Sequence, residues 1–312
     1  MGTQYHITIV AKKAKMTPQR LQNEINHRLA DINQKMSTYI DDSEISRFNR
    51  ETTTDWFPIS QEFLIVIEAA KKAQQISAGA FDPTVYPLVD LWGFAKQIKV
   101  TPPSNKAIQR ALAYTGLHHL SIQKNPPALS KDVVQLSLDL SAIAKGYGVD
   151  AIAELLDKKG LNNYLVEIGG EVKAKGKNAD NKIWHIGIEQ PEDYKINQES
   201  KVINGLYLDN QAVATSGNYR NFYEYKGKRY AHTINPKTGK PSENSLASVT
   251  VIHPSTMWAD AMATAIMVMG AEKGLAFANQ NKLAIFMVEY KGKTYQTISN
   301  SYFRKLQRLG IQ

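Results

Sequence analysis

Two stretches in the second half of the chain have the pattern of paired strands joined by a short turn. In NFYEYKGKRYAHTI, Gly227 marks a turn between Tyr225 and Tyr230, and LAIFMVEYKGKTYQTIS is centred on Gly292. A hairpin requires antiparallel strands, whereas a regular βαβ array requires parallel ones. Because helical patterns occur between such hairpins, the sequence predicts an α+β fold with mixed sheets and surrounding helices.

Hydrophobic periodicity predicts further strands and helices. Tyr5 to Val10, Leu136 to Leu140 and Tyr164 to Ile168 have the pattern of strands, and a helix from about Ala144 to Gly160 separates the last two. Thr17-Pro18 predicts the start of an earlier helix. The apolar positions of that helix share one face: Leu21, Ile25, Leu29, Ile32 and Met36.

Composition excludes several kinds of chemistry. The chain has no cysteine, so it has no disulfide, thiolate metal site or cysteine nucleophile. It has no run of about 18 apolar residues, so no transmembrane helix is expected. With 38 Lys and Arg against 29 Asp and Glu, the net charge of +9 suits an anionic partner. The basic residues are spread along the chain, so no nucleic-acid partner is predicted.

A strongly apolar predicted helix, WADAMATAIMVMG, carries a carboxylate and a hydroxyl. Asp260 and Thr264 are four residues apart and therefore lie on one helix face, about 6 Å apart along the axis. Both offer the oxygen ligands that Mg²⁺ prefers. Alternatively, Asp260 is a charge near the helix start that the helix dipole stabilises, with Ser255 or Thr256 as the N-cap. The residues alone leave both interpretations open.

Three polar segments at the ends of predicted strands are further candidates for a binding or catalytic site. In VEIGGEV, Gly169 and Gly170 either let a ligand approach the backbone or form a plain turn. In DLSAIAKGYG, Lys145 at a helix start either holds a phosphate together with backbone N–H groups or is a surface charge, and the Walker A spacing is missing. In AHTINP, His232 is either a surface side chain or a catalyst.

Together these segments resemble the ApbE family of flavin transferases. The matching stretches follow the family's order over essentially the whole chain: MGTQYHI, MSTYIDDSEISRFN, GAFDPTVYPLVDLWGF, LDLSAIAKGYGVD, NYLVEIGGEV, ATSGNYRNF, HTINPKTG and ASVTVIHPSTMWADAMATA. The resemblance implies one domain over residues 1–312, with a dinucleotide held in a central cleft. It implies an enzyme that uses Mg²⁺ to cleave FAD between its phosphates, transfers FMN to a threonine hydroxyl of a target protein and releases AMP.

The resemblance also assigns roles to residues. The metal ligands would be the side chains of Asp260 and Thr264 and the backbone carbonyl of Ala142, and the catalytic residues would be His232, Asp260 and Lys145. FAD would contact Met1, Tyr39, Ala80, Phe81, Asp82, Asp139, Lys145 and Ile234, with Glu167, Gly169 and Gly170 in the wall of the flavin pocket. Tyr39 and Phe81 are candidates for stacking on a ring of FAD. Ala231 and Asn235 replace a serine and an aspartate of many relatives, so no carboxylate role is assigned at 235.

Partners and location follow from the same resemblance. Targets would carry a short threonine-containing motif and include subunits of membrane redox pumps. Relatives usually carry an export signal, often of lipoprotein type, so we expect a periplasmic protein, or one at the outer face of the cytoplasmic membrane, with its signal removed. A cytosolic form, and Mn²⁺ in place of Mg²⁺, stay open. Two other functions also stay open, an FAD pyrophosphatase that yields FMN and AMP and an FAD-binding protein without turnover.

Overall fold

The chain combines helices with antiparallel sheets, which confirms the α+β class. The computed structural model describes residues 2–11, 16–95, 101–191, 201–218, 222–292 and 294–309. No helix within these ranges has both the length and the apolar character needed to span a membrane. The chain divides into two compact units, unit 1 (Met1–Asp31, Lys145–Arg220, Ser245–Gln312) and unit 2 (Ile32–Ala144, Asn221–Asn244). A single domain over residues 1–312 stays a prediction.

The elements are named in chain order. The helices are α1 Pro18–Met36, α2 Glu44–Arg50, α3 Gln61–Ile76, α4 Tyr86–Leu91, α5 Asn105–Leu112, α6 Ser141–Lys158, α7 Thr256–Met269, α8 Ala271–Gln280 and α9 Ser301–Leu309. The strands are β1 Tyr5–Ile9, β2 Phe57–Pro58, β3 Leu120–Lys124, β4 Pro127–Lys131, β5 Tyr164–Ile168, β6 Glu171–Lys175, β7 Trp184–Glu189, β8 Val202–Leu208, β9 Gln211–Gly217, β10 Phe222–Tyr225, β11 Lys228–Ala231, β12 Ile234–Asn235, β13 Lys240–Pro241, β14 Leu246–His253, β15 Ala284–Lys291 and β16 Thr294–Ser299.

Unit 1 is built on a seven-stranded antiparallel sheet in the order β1-β5-β6-β9-β14-β15-β16. Helix α7 packs on β9 and β14 and is buried along most of its length, which explains its apolar sequence. Helices α1 and α6 cover β5 through a shared core of Ile25, Leu29, Val149, Ile152, Ala153, Leu156, Tyr164, Val166 and Ile168. The two-stranded ribbon β7–β8 packs on α9.

Unit 2 contains a three-stranded sheet, β2-β4-β3, and the hairpins β10–β11 and β12–β13. The first hairpin turns at Gly227, as predicted. The core of unit 2 includes Leu88, Trp92, Ile108, Ala111 and Ile234. The indole Nε1 of Trp92 donates to the carbonyl of Gly239 at 2.7 Å, which fixes the β12–β13 turn against α4.

The strand predicted at Leu136 to Leu140 is wrong. Its alternate leucines are fully buried, so the periodicity was real, but the segment pairs with no strand. Instead, the side-chain amide of Asn49 accepts from the N–H of Leu138 at 2.7 Å and donates to its carbonyl at 2.9 Å. Helix α6 begins at Ser141, three residues before the predicted Ala144, and Asp139 Oδ1 accepts from the Ser141 N–H at 2.8 Å.

Candidate active site

Asp260 lies in the interior of α7 and not at its start. Ser255 is the N-cap, and its hydroxyl accepts from the N–H of Trp258 at 3.3 Å. Asp260 is therefore the fifth residue of the helix, beyond the first turn in which the dipole acts most strongly. Asp260 is only 2% exposed. The dipole interpretation does not account for a carboxylate buried at this position.

A close crossing of α6 and α7 supplies the first partner of Asp260. The N–H of Gly146 donates to Asp260 Oδ2 at 3.0 Å. A Cβ on Gly146 would lie 2.4 Å from the carbonyl oxygen of Thr256 and 2.7 Å from Cα of Met257. Only glycine lets the two backbones approach this closely, and the approach brings a main-chain amide to the carboxylate.

Lys145 joins Asp260 to a second buried carboxylate, Glu171. The Lys145 ammonium lies 2.6 Å from Glu171 Oε1 and 3.7 Å from Asp260 Oδ1. Glu171 is 2% exposed, and its Oε2 is buried without a hydrogen-bond partner among the described residues. Unit 1 thus brings together the predicted residues Lys145 and Asp260 and adds a glutamate that the sequence reasoning missed.

The sequence contained a signal for Glu171. Gly169 and Gly170 form a two-residue turn at positive φ between β5 and β6, so Ile168 pairs with Glu171. Residues directly opposite in an antiparallel pair share a face of the sheet. Ile168 belongs to the apolar face of β5, so a two-residue turn at this Gly-Gly pair predicts a buried Glu171.

Burial and charge shape the titration of this cluster. Burial raises the pKa of Glu171 to about 7, Lys145 opposes that rise and Asp260 adds to it. Burial also raises the pKa of Asp260, against the attraction of Lys145. Burial alone would lower the pKa of Lys145, but the two carboxylates raise it above its usual range. Two carboxyl groups share one ammonium, so the cluster can accept a further positive charge.

Thr264 follows Asp260 by one turn of α7. Its Oγ1 lies 3.1 Å from Oγ of Ser216 on β9, within hydrogen-bonding distance. No three or more histidine, aspartate or glutamate side chains of the described ranges are grouped so as to hold a metal ion. A carboxylate plus neutral oxygens nevertheless fits Mg²⁺ or Mn²⁺, because Mg²⁺ commonly takes one or two carboxylates and completes its shell with water and phosphate.

The start of α7 is fixed by Asp150 of α6. Its carboxylate accepts from the Ser255 hydroxyl at 2.8 Å, from the N–H and hydroxyl of Thr256 at 3.1 and 2.9 Å, and from the N–H of Met257 at 3.0 Å. Lys173 donates to it at 2.8 Å. Although burial alone would raise it, the pKa of Asp150 is lowered by Lys173 and by the helix amides. This network fixes α7, and with it Asp260, against α6.

The Gly-Gly turn is itself held by Glu167. Glu167 Oε1 accepts from the N–H of Gly170 at 2.6 Å, and Oε2 lies 2.7 Å from Nδ1 of His6 on β1. A side chain added at Gly170 would meet no atom within 4 Å. VEIGGEV is therefore a strand-to-strand turn. A place for Glu167, Gly169 and Gly170 in a flavin pocket stays a prediction.

Unit 2 holds most of the predicted FAD contacts. Asp82 Oδ1 accepts from the N–H of Thr84 at 2.9 Å and from its hydroxyl, so this carboxylate orders its own loop. Burial raises the pKa of Asp82. Tyr39 is 65% exposed, whereas Phe81 is 3% exposed and Ala80 is also buried. Ring stacking on a ligand is therefore open to Tyr39, while the ring of Phe81 is buried.

The remaining predicted residues lie beside β11 and at the start of α6. His232 follows β11, and the ring of Phe94 meets its imidazole edge-on with centroids 6.4 Å apart. Ile234 is buried in β12. Asp139 precedes α6, and Ala142 is in its first turn. Met1 lies outside the described residues.

An α+β fold with a buried carboxylate–lysine cluster beside a hydroxyl is typical of an enzyme that handles a charged substrate. The chain belongs to the ApbE family, whose model matches residues 1–287. It is 41% identical over 305 residues to a Vibrio cholerae protein named FAD:protein FMN transferase, covering 97% of this chain and 90% of that one. A Haemophilus influenzae protein of the same name is 40% identical over 98% of this chain and 89% of its own length.

The fold of a solved relative agrees closely. The structure of the flavin transferase ApbE from Vibrio cholerae superimposes with a TM-score of 0.89 at 40% identity, covering 98% of this chain and 96% of that chain. The family match and this likeness both extend over residues of unit 1 and unit 2.

Proposed function

We propose that this chain transfers FMN from FAD to a threonine hydroxyl of a target protein and releases AMP, with Mg²⁺. The observation that carries the proposal is the 41% identity, over 97% of the chain, to a protein named FAD:protein FMN transferase. The buried Lys145–Asp260 pair supports it, because phosphoryl transfer needs fixed groups that position and neutralise a charged diphosphate.

Asp260 and Thr264, with the carbonyl of Ala142, would hold the metal ion, which supplies stabilisation of the charge on the FAD diphosphate. In a regular α-helix the N–H of Gly146 pairs with the carbonyl of Ala142. Here that N–H donates to Asp260 Oδ2 at 3.0 Å. A carbonyl oxygen has two lone pairs, so the carbonyl of Ala142 would keep acceptor capacity for a cation even when it accepts one hydrogen bond.

The other residues handle the substrate and the proton. Lys145 would add positive charge near the diphosphate. His232 would take the proton of the threonine hydroxyl as its oxygen bonds to the phosphorus on the FMN side. The bond between that phosphorus and the bridging oxygen then breaks, and AMP leaves with the bridging oxygen. The Phe94 ring lies at a steep angle to the His232 imidazole, with centroids 6.4 Å apart.

Intact-mass measurement tests the proposal. The purified chain is incubated with FAD, Mg²⁺ and a threonine-containing domain of a redox-pump subunit. We expect the target to gain the mass of FMN, and Asp260→Ala to abolish that gain. Asp157→Asn is the matched control, because Asp157 pairs with Lys175 in the same unit in a partly exposed ion pair and is expected to leave transfer intact.

The other two functions give different products. Free FMN and AMP without a target adduct would identify an FAD pyrophosphatase. FAD that stays bound and intact after Mg²⁺ is added would identify a binding protein without turnover. Full transfer by Asp260→Ala would refute the metal assignment.

Location and target identity are proposed from the resemblance alone. We propose action outside the cytoplasmic membrane on subunits of membrane redox pumps. Cell fractionation of the source organism, followed by detection of this chain and of flavinylated protein in each fraction, tests both.

A further inference from the structure

We infer that Glu171 is a positioning residue that holds the ammonium of Lys145 away from Asp260, so that the Asp260 carboxylate stays available to a cation. The inference deepens the proposed function and rests on it for the role of Asp260. All three residues belong to unit 1.

The distances show which carboxylate holds Lys145. Its Nζ lies 2.6 Å from Glu171 Oε1, the length of a strong charge-assisted hydrogen bond. The same atom is 3.7 Å from Asp260 Oδ1, too long for a hydrogen bond. The lysine is therefore hydrogen-bonded to Glu171 and forms only a longer ion pair with Asp260.

The contacts of Asp260 fit this division. Asp260 Oδ2 receives a neutral main-chain donor, Gly146, at 3.0 Å. A neutral donor orients the carboxylate without cancelling its charge. If Lys145 moved from Glu171 to Asp260, a direct hydrogen bond would replace the longer ion pair, and a metal ion would then have to compete with the ammonium for the same carboxylate oxygen.

Glu171 carries a cost that a purely structural ion pair would avoid. Its Oε2 is buried and has no hydrogen-bond partner among the described residues. Burying an ion pair is repaid in full only when further hydrogen bonds satisfy its remaining lone pairs, and an unsatisfied buried polar atom calls for an explanation. The explanation we infer is that Glu171 holds Lys145 at a fixed distance from Asp260.

The test is the binding of Mg²⁺ alone, measured by isothermal titration calorimetry on the full chain without FAD. Glu171→Gln keeps the shape of the side chain and removes its charge, which frees Lys145 to pair with Asp260. We expect the Kd for Mg²⁺ to rise about tenfold, in the range seen when a group that orients a metal ligand is lost. Asp157→Asn removes one carboxylate from the Asp157–Lys175 pair and is expected to leave the Kd unchanged.

A double-mutant cycle shows whether Glu171 acts through Lys145. In a Lys145→Met background no ammonium is left to move, so Glu171→Gln should change the Kd less than about twofold, the limit for uncoupled sites. Thermal unfolding of each variant checks that it is folded. An unchanged Kd in the single variant would overturn the inference, and so would an equal loss in the Lys145→Met background.

The outcome separates the inference from the proposed function. If the wild-type chain binds Mg²⁺ and responds as expected but transfers no FMN, the proposed function fails and the role of Glu171 stands. If the wild-type chain transfers FMN but the cycle shows no coupling, the role of Glu171 fails alone. If it binds no Mg²⁺ and transfers no FMN, both fail.

Discussion

Lys131 is a lysine enclosed almost completely by unit 2. It is 1% exposed, and its ammonium donates to the carbonyls of Phe48, Asn49 and Leu136 at 3.3, 3.5 and 3.2 Å. Phe48 and Asn49 are in the last turn of α2, so the lysine satisfies carbonyls at a helix end. Burial lowers its pKa to about 8, with Glu51 opposing the change.

This pKa sets a pH dependence of stability. A base whose pKa is lower in the folded state loses its proton on folding between about pH 8 and its unfolded value of 10.5. Stability therefore rises with pH across that window and is lost again as pH falls towards 8. Relative to Lys131→Met, the free energy of unfolding of the wild-type chain should increase by about 2 kcal/mol from pH 7.5 to pH 10. Urea unfolding of both proteins at the two pH values measures it.

An exposed lysine provides the comparison for Lys131. The side chain of Lys124 is 71% exposed, so Lys124→Met should show the same pH dependence as the wild-type chain. A constant difference between wild-type and Lys131→Met across the window would contradict the lowered pKa.

At the scale of elements, the crossing of α6 and α7 depends on one missing side chain. Gly146→Ala places a Cβ 2.4 Å from the Thr256 carbonyl oxygen and 2.7 Å from Met257 Cα, and both are main-chain atoms. The gain of about 0.5–1 kcal/mol from replacing a helical glycine is smaller than the roughly 1–3 kcal/mol that overpacking costs. We expect a net loss of stability in urea unfolding. We also expect weaker Mg²⁺ binding, because relief of these clashes moves the main-chain N–H of residue 146 away from Asp260 Oδ2. A variant more stable than wild-type would show that the helices can separate freely.

Sequence patterns predicted the secondary structure well where an element depends on residues close to it in the sequence. The hairpin at Gly227 and the apolar face of α1 depend on turn chemistry and helical periodicity, which are readable in sequence. The strand prediction for Leu136–Leu140 was wrong because a period of two residues shows which side chains are buried. It does not show what the backbone of the segment pairs with. Its partner is the side chain of Asn49, 89 residues away from Leu138.

The residues of the candidate site were also predictable only where a local pattern indicates them. The face shared by Asp260 and Thr264 follows from helical spacing, but whether it meant a dipole or a metal depended on burial, which spacing does not give. Their roles came from the resemblance to a family. Glu171 was missed because its importance lies in a contact with Lys145, 26 positions earlier, made across the packing of α6 on the sheet. The Gly-Gly turn indicates that Glu171 is buried, but its contact with Lys145 has no local signature.

At the scale of the whole molecule, the net charge of +9 predicts how FAD binding responds to salt. A positive protein attracts a doubly negative diphosphate, and added salt screens that attraction. Raising KCl from about 50 to about 300 mM at fixed free Mg²⁺ should raise the KM for FAD roughly threefold with little change in kcat. Steady-state kinetics at both salt concentrations measures the effect.

A control with a neutral solute makes the salt experiment specific. Sucrose at matched osmolarity should leave the KM unchanged, because it does not screen charge. A KM that is insensitive to salt would mean that FAD is held by short-range contacts alone and that the overall charge serves another purpose.

The hydrogen bonds that Asp150 accepts at the start of α7 bear on the affinity of the proposed cation site. The backbone and hydroxyl groups around Ser255, Thr256 and Met257 become ordered when the chain folds, so their conformational entropy is lost then and not when a ligand arrives. A preorganised receptor keeps more of its interaction free energy as affinity. An ion at the proposed site would therefore bind to helices that are already ordered, and for Mg²⁺ the loss of water from its hydration shell would limit the rate of binding.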